Sequence, residues 1–148
     1  MALYLIELTP ATASKDEATA LIETVSNSLS EGAELIETQV SADHKLIFAI
    51  IESENTAFAP ALTAAIGERA SVVGPDEVRL VGAELDDIKK LKKDADYLVE
   101  WDIPAEITME QYLTRKKANA PKYAEVPEVS FLRTYVREDT AKCLCFYD

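Results

Sequence analysis

The chain is poor in the residues that most often hold metals or carry covalent chemistry. Its 148 residues include one histidine, His44, and two cysteines, Cys143 and Cys145. A structural metal centre needs about four ligands, and no further cysteine is present to complete a C-x-C half-site. The two cysteines stand two apart on a predicted strand, so their side chains point to one face, a poor separation for a mutual disulfide. Thiols of this kind fit a reducing compartment, and the cytoplasm is the expected location. Positive charge is scarce as well: 15 Lys and Arg stand against 27 Asp and Glu, a formal charge of −12. That balance disfavours nucleic acid and anionic membrane surfaces, which both need positive patches, and it keeps the chain soluble. No apolar run approaches the roughly 18 residues that span a bilayer. The opening MALYLIELTP has neither a basic leader nor a small-residue cleavage site, so no signal peptide is expected. Phosphate-loop, dinucleotide, G-x-S-x-G and H-E-x-x-H patterns are all missing, which leaves nucleotide binding and the common hydrolase chemistries without support.

What the chain does have is an internal repeat. YLIEL at residues 4–8 returns as YLVEW at residues 97–101, each reading as a central strand. Ser14 and Glu17 then form a capping box, and Ala18, Leu21, Ile22, Val25 and Leu29 line one face of a helix that Gly32 is expected to end. Thr108 and Gln111 repeat the box, Met109, Tyr112 and Leu113 repeat the face, and Pro121 should stop the second helix near Asn119 or Ala120. ELIETQVSADHKLIFAII and SFLRTYVREDTAKCLCFY are both hairpins, with Asp43 and Asp139 in corresponding turns.

The first copy continues. A helix is predicted over 56–66, with Pro60 tolerable only in its first turn and Gly67 ending it. A Gly74-Pro75 turn then leads to a fourth strand at 77–82. Between the copies, ELDDIKKLKKDAD places acids early and lysines late, a charge order that suits a short helix. The expected organisation is therefore unit 1 over 1–83, a helical connector over 84–96 and unit 2 over 97–148. The fold class is α+β: two tandem ferredoxin-like βαββαβ units, the second lacking its last helix and strand. In such a sheet the strand order is 4-1-3-2, so the strand at 97–101 is left as an open, apolar edge. Homo-oligomer formation through that edge is one expected partnership.

The second copy resembles a known family. The YLVEW strand, the TYV-x-ED strand end and turn, and the Cys145-Phe146-Tyr147 strand are similar to the small bacterial ferredoxin-like proteins of domain of unknown function 4242, some of which are described as nickel-binding. The resemblance covers residues 97–148 well, whereas residues 3–83 share it only through the repeat. It implies subunits of dimeric α+β barrels, here two copies in one chain, and a divalent metal such as nickel as ligand. The single histidine departs from what a nickel site favours, which is imidazole with mixed nitrogen and oxygen donors.

Strand parity supplies candidate site residues. Glu100, Arg133 and Tyr135 are expected on the face of the second sheet away from its helix, and Glu7, Glu37 and Gln39 on the equivalent face of the first. Parity does not say which of Cys143, Cys145, Tyr147 or Leu144, Phe146 joins them. Glu7, Glu100, Arg133 and Tyr135 would line a polar pocket between sheets, with the carboxylates as acid, base or oxygen ligands. Alternatively Glu100 simply pairs with Arg133. The cysteines read as a metal half-site, a redox pair or buried small hydrophobes, His44 as a solvated turn residue or a ligand, and the aromatics Trp101, Tyr112, Phe131 and Tyr135 as core or as a cofactor stack. Three functional classes follow: a binding protein for a small molecule or divalent metal, a small enzyme such as a cofactor-free oxygenase or isomerase using Glu100 and Tyr135, or a structural interaction module.

Overall fold

The structure is a computed structural model, and it describes residues 2–29, 32–90, 97–125 and 131–147. The chain forms two compact units, Met1–Glu77 and Val78–Asp148. Both mix helices with antiparallel strands.

The first unit opens with β1 (Ala2–Pro10), α1 (Lys15–Ser28), β2 (Ala33–Val40) and β3 (Ile47–Ser53). Next come α2 (Ala59–Ile66) and β4 (Ala70–Val81), which runs on into the second unit. The strand order here is β2-β3-β1-β4. β1 and β3 pair from Ala2↔Ser53 to Leu8↔Ile47, and β2 joins β3 with a bulge between Leu35 and Glu37. Alternation decides the core. Tyr4, Ile6 and Leu8 share a face with Ile47, Ala49 and Ile51, and meet Ala18, Leu21 and Val25 of α1 and Leu62 and Ile66 of α2. Tyr4 and Phe58 pack edge to face at 5.7 Å, the arrangement the ring quadrupoles prefer.

Local signals behave unevenly. Ser14 caps α1 by accepting from the Glu17 amide at 3.1 Å. The Glu17 carboxylate, however, reaches Arg69 at 3.3 Å instead of closing the box. α1 ends at Ser28 with an extended Leu29, so Gly32 does not cap the helix; its positive φ of 95° serves the entry to β2. α2 begins at Ala59 rather than at 56 because a turn forms first, with the Asn55 side chain accepting from the Ala57 amide at 2.9 Å. The larger correction concerns β4. It is 12 residues long and passes through Gly74-Pro75 without turning. Gly74 lies so close to β1 that a Cβ there would stand 2.5 Å from the Leu5 carbonyl oxygen.

The second unit holds the end of β4, α3 (Leu85–Lys89), β5 (Tyr97–Asp102), α4 (Met109–Asn119), β6 (Phe131–Arg137) and β7 (Lys142–Tyr147). Its strand order is β4-β6-β7-β5. β5 pairs with β7 from Tyr97↔Tyr147 to Asp102↔Lys142, and β4 with β6 from Val78↔Arg137 to Val81↔Thr134. Among the described residues β5 has β7 as its one neighbour, and Tyr97 and Trp101 on it are 65% and 56% exposed. Thr108 and Gln111 complete a reciprocal capping box at 3.0 and 3.2 Å, and α4 stops at Asn119, two residues before Pro121. α3 is the described part of the predicted connector; Leu91 and Ala95, expected on its apolar face, lie outside the described residues.

The two hairpin turns share the same tip bonds. The His44 amide donates to the Ser41 carbonyl at 2.9 Å, and the Thr140 amide to the Arg137 carbonyl at 2.9 Å. Both residues hold a left-handed backbone, at φ 59° and 60°. The Asp43 carboxylate accepts from the Lys45 amide and the Asp139 carboxylate from the Ala141 amide, each at 3.0 Å. The Ser41 hydroxyl and then the Lys45 amide hold the Asp43 carboxyl below the ordinary carboxylate range; the Ala141 amide and then Arg137 do the same for Asp139. A carboxyl depressed in the folded state stabilises above its unfolded pKa, about 3.9 for Asp, and that contribution is lost as pH falls through the folded value. The Asp139→Asn variant should therefore lose stability at neutral pH and show a shallower decline in acid than the parent. Urea midpoints collected from pH 7 to pH 2 check this, and parallel curves for the two proteins would contradict it.

Candidate functional site

The face of the second unit's strands that meets α4 carries Val136, Cys143 and Cys145, packed against Tyr112 with Ile103, Ile107, Met109 and Leu113 around them. Register resolves the parity question. Leu144 and Phe146 lie level with Tyr135 and Arg133 on the opposite face, and the two cysteines turn to the helix.

The expected site residues fall as follows. Glu100, Leu144 and Tyr135 form one row across β5, β7 and β6, and Arg133 follows in the next row beside Phe146. Glu100, Arg133 and Tyr135 thus share a face. Glu100 is exposed, and its ion pair is with Lys142, which corrects the alternative of a Glu100–Arg133 pair. Lys142 alternates with the cysteines and so reaches the same face as Glu100. Arg133 is buried, its guanidinium 4.7 Å from the centre of the Phe146 ring. Tyr135 is also buried and packs edge to face on Phe146 at 5.5 Å. Glu7 lies on β1 level with Phe48 and Gln39; Gln39 donates to Glu37 at 3.3 Å. His44 sits in the β2–β3 turn. Phe131 stacks edge to face on Tyr147 at 5.8 Å.

On the α4 side of the second unit is a cavity of about 320 Å³. Trp101, Asp102, Ile103, Pro104 and Ile107 wall it, Arg115, Lys116 and Asn119 come from α4, and Tyr112, Cys143, Cys145 and Tyr147 complete the lining. Its polar groups are unusual. The Tyr112 hydroxyl is buried and has no hydrogen-bond partner; burial pushes its pKa up, with the Cys143 thiol next to it outside hydrogen-bond geometry. Lys116, one turn on, directs its ammonium at the Cys145 sulfur at 3.3 Å, and the Thr134 hydroxyl approaches the same sulfur at 3.5 Å. The Lys116 ammonium also lies 5.0 Å from the centre of the Phe131 ring. The two sulfurs are 3.9 Å apart. Cys145 is drawn down in pKa, first by its hydrogen bond with Cys143 and then by Thr134 and Lys116, while that same bond and burial push Cys143 up.

A family model described as "Nickel responsive protein SCO4226-like" matches residues 97–148, about a third of the chain. That span carries β5, α4, β6, β7 and the cavity. No curated protein matches the chain. The donor set can be tested against a metal directly. Two sulfurs 3.9 Å apart would suit one edge of a tetrahedral site, about 3.8 Å for metal–sulfur bonds of about 2.3 Å. Among the described residues, however, no three His, Cys, Asp or Glu side chains come together. A metal held by the described side chains alone does not fit there.

Proposed function

We propose that the chain is a small-ligand-binding protein and that its ligand occupies the cavity beside α4. The observation that carries this is that Tyr112, a residue lining the cavity, has a buried hydroxyl that lacks a partner. A buried hydroxyl left unpaired costs roughly 1–3 kcal/mol, and an acceptor atom of a bound molecule would remove that cost. Apolar walls with Arg115 and Lys116 at one side suit a molecule with a flat apolar body and an anionic group, the usual division of labour in small-molecule sites. In this reading each unit is a ferredoxin-like module. The order β2-β3-β1-β4 in the first and β6-β7-β5 in the second, together with the matched hairpin turns, support a tandem repeat.

Indole-3-acetate, a ring with a carboxylate, is a suitable probe. In an amide NMR titration the shifts should gather at residues 101–119 and 143–147. Shifts gathered at Glu7, Glu100, Arg133 and Tyr135 would favour the placement expected from parity, and no shifts at all would refute both. The family match favours a second reading, nickel binding. The cavity thiols could supply two donors, and the remaining donors would come from water, a small chelating molecule or another copy of the chain. Metal analysis after equilibration with nickel checks it: protein that retains no nickel through a desalting column ends this reading.

A further inference from the structure

The cavity floor holds chemistry that binding alone does not use. Cys143 and Cys145 occupy same-face positions on β7, their sulfurs 3.9 Å apart. Two residues along a strand span about 6.6–6.8 Å between Cα atoms, at the upper limit of what a disulfide bridges. The pair is therefore built to share a proton rather than to form a bond with each other. Cys145 is the sulfur that Lys116 and Thr134 address, at 3.3 and 3.5 Å. An ammonium and a hydroxyl aimed at one sulfur stabilise its anion, and the thiolate is the nucleophile in cysteine chemistry.

We propose that Cys145 is the nucleophile of a thiol–disulfide exchange site whose substrate is a small disulfide bearing carboxylate groups. The proposal rests on the α4 cavity being the ligand site. Cys145 is almost fully buried yet lines that cavity, so a reagent reaches it only by entering. About 320 Å³ admits a molecule of small-metabolite size and excludes proteins. Arg115 and Lys116 are the charges that would hold a carboxylate, and the Tyr112 hydroxyl offers an unused donor. The chain's overall −12 charge opposes anion capture, but charges beyond about 8 Å are screened at physiological salt, and in the lining Arg115 and Lys116 outweigh Asp102. The pKa directions agree with this geometry, with Cys145 drawn down and Cys143 pushed up.

In the exchange the Cys145 thiolate attacks one sulfur of R–S–S–R. The S–S bond breaks, its electron pair leaves on the second sulfur, and the released thiolate takes a proton from water, which the external thiol of the closing step returns on ionising. Cys145 ends oxidised in a mixed disulfide, Cys145–S–S–R, and one R–S–H is reduced. A second external thiol, as its thiolate, attacks the R-side sulfur and returns Cys145 to its starting state.

The test uses the intact protein with dithiodiglycolate, a small dianionic disulfide, and cystamine, a dication of similar length. Adducts are followed by intact mass and located by peptide mapping. A single adduct at Cys145, forming about tenfold faster with dithiodiglycolate, supports the proposal, and Lys116→Met should erase the preference while leaving the circular dichroism spectrum unchanged. An adduct at Cys143, no adduct in the native protein, or equal rates for the two reagents would overturn it. Mapping on the parent protein needs no variant, so a poorly folding mutant does not blur the outcome. Thiodiglycolate, the thioether that cannot exchange, separates this proposal from the pocket reading. Binding of the thioether without exchange removes the nucleophile alone, whereas exchange at Cys145 without thioether binding removes the pocket reading alone.

Discussion

Replacing Phe146 with alanine should lower stability by about 3–5 kcal/mol, the range for a buried phenylalanine cut back to a methyl group. Phe146 is 1% exposed and has two ring-specific contacts, Tyr135 at 5.5 Å and the Arg133 guanidinium at 4.7 Å. Deletion of the ring leaves a cavity and takes the aromatic face from beneath a buried cation. Leucine at the same position refills most of the volume without the quadrupole, and should cost about half as much. Trp101, the single tryptophan, sits on β5 in the same unit, so its fluorescence in a urea titration reports on the right part of the chain. A loss under about 1 kcal/mol for Phe146→Ala would show that this face of the sheet is not closed core.

The second large effect is expected at Gly74. Its φ of 110° is a conformation that side chains resist, and a Cβ would also stand 2.5 Å from the Leu5 carbonyl oxygen. Backbone cannot yield as a flexible side chain does, so Gly74→Ala should push β4 and β1 apart and cost about 3 kcal/mol. Gly32→Ala is the informative control. Gly32 has a φ of 95° with nothing within 4 Å of its missing Cβ, so it isolates the conformational cost of about 1 kcal/mol. Equal losses at the two positions, read from urea midpoints, would mean that close strand approach contributes nothing at Gly74.

Much of this architecture is visible in the residue pattern, because short-range physics sets it. The capping pair Thr108 and Gln111, the helix stop before Pro121 and the two Asp-bearing turns all depend on neighbours within about four positions. β4 was harder to read for the same reason. Gly74-Pro75 looks like a turn locally, and only the passing β1 backbone, some 70 residues earlier, explains why a strand needs a glycine there. The strand faces were legible in part, but the cavity was not: it lies on the α4 side, opposite the face expected to hold a pocket. Parity correctly gathered Glu100, Arg133 and Tyr135 on one face, but left the cysteines unassigned between the two. A signal was present: Tyr112 and Lys116 stand four apart and so share a helix face, and the apolar positions of that helix had already been directed at the sheet. Setting that face against a C-x-C strand would have brought hydroxyl, amine and thiols together. Three-dimensional pairing was needed to show that Lys142, rather than Arg133, answers Glu100.

The left-handed residue at the β6–β7 tip bears on how the thiols behave. Thr140 branches at Cβ and so resists the left-handed region; the bond from its amide to the Arg137 carbonyl holds the tip there against that preference. A tip so confined gives the ribbon little freedom to slide or splay at its closed end. The register that brings Cys143 level with Val136 and Cys145 level with Thr134 is thereby anchored a few residues away, and the gap between the sulfurs is held by the backbone.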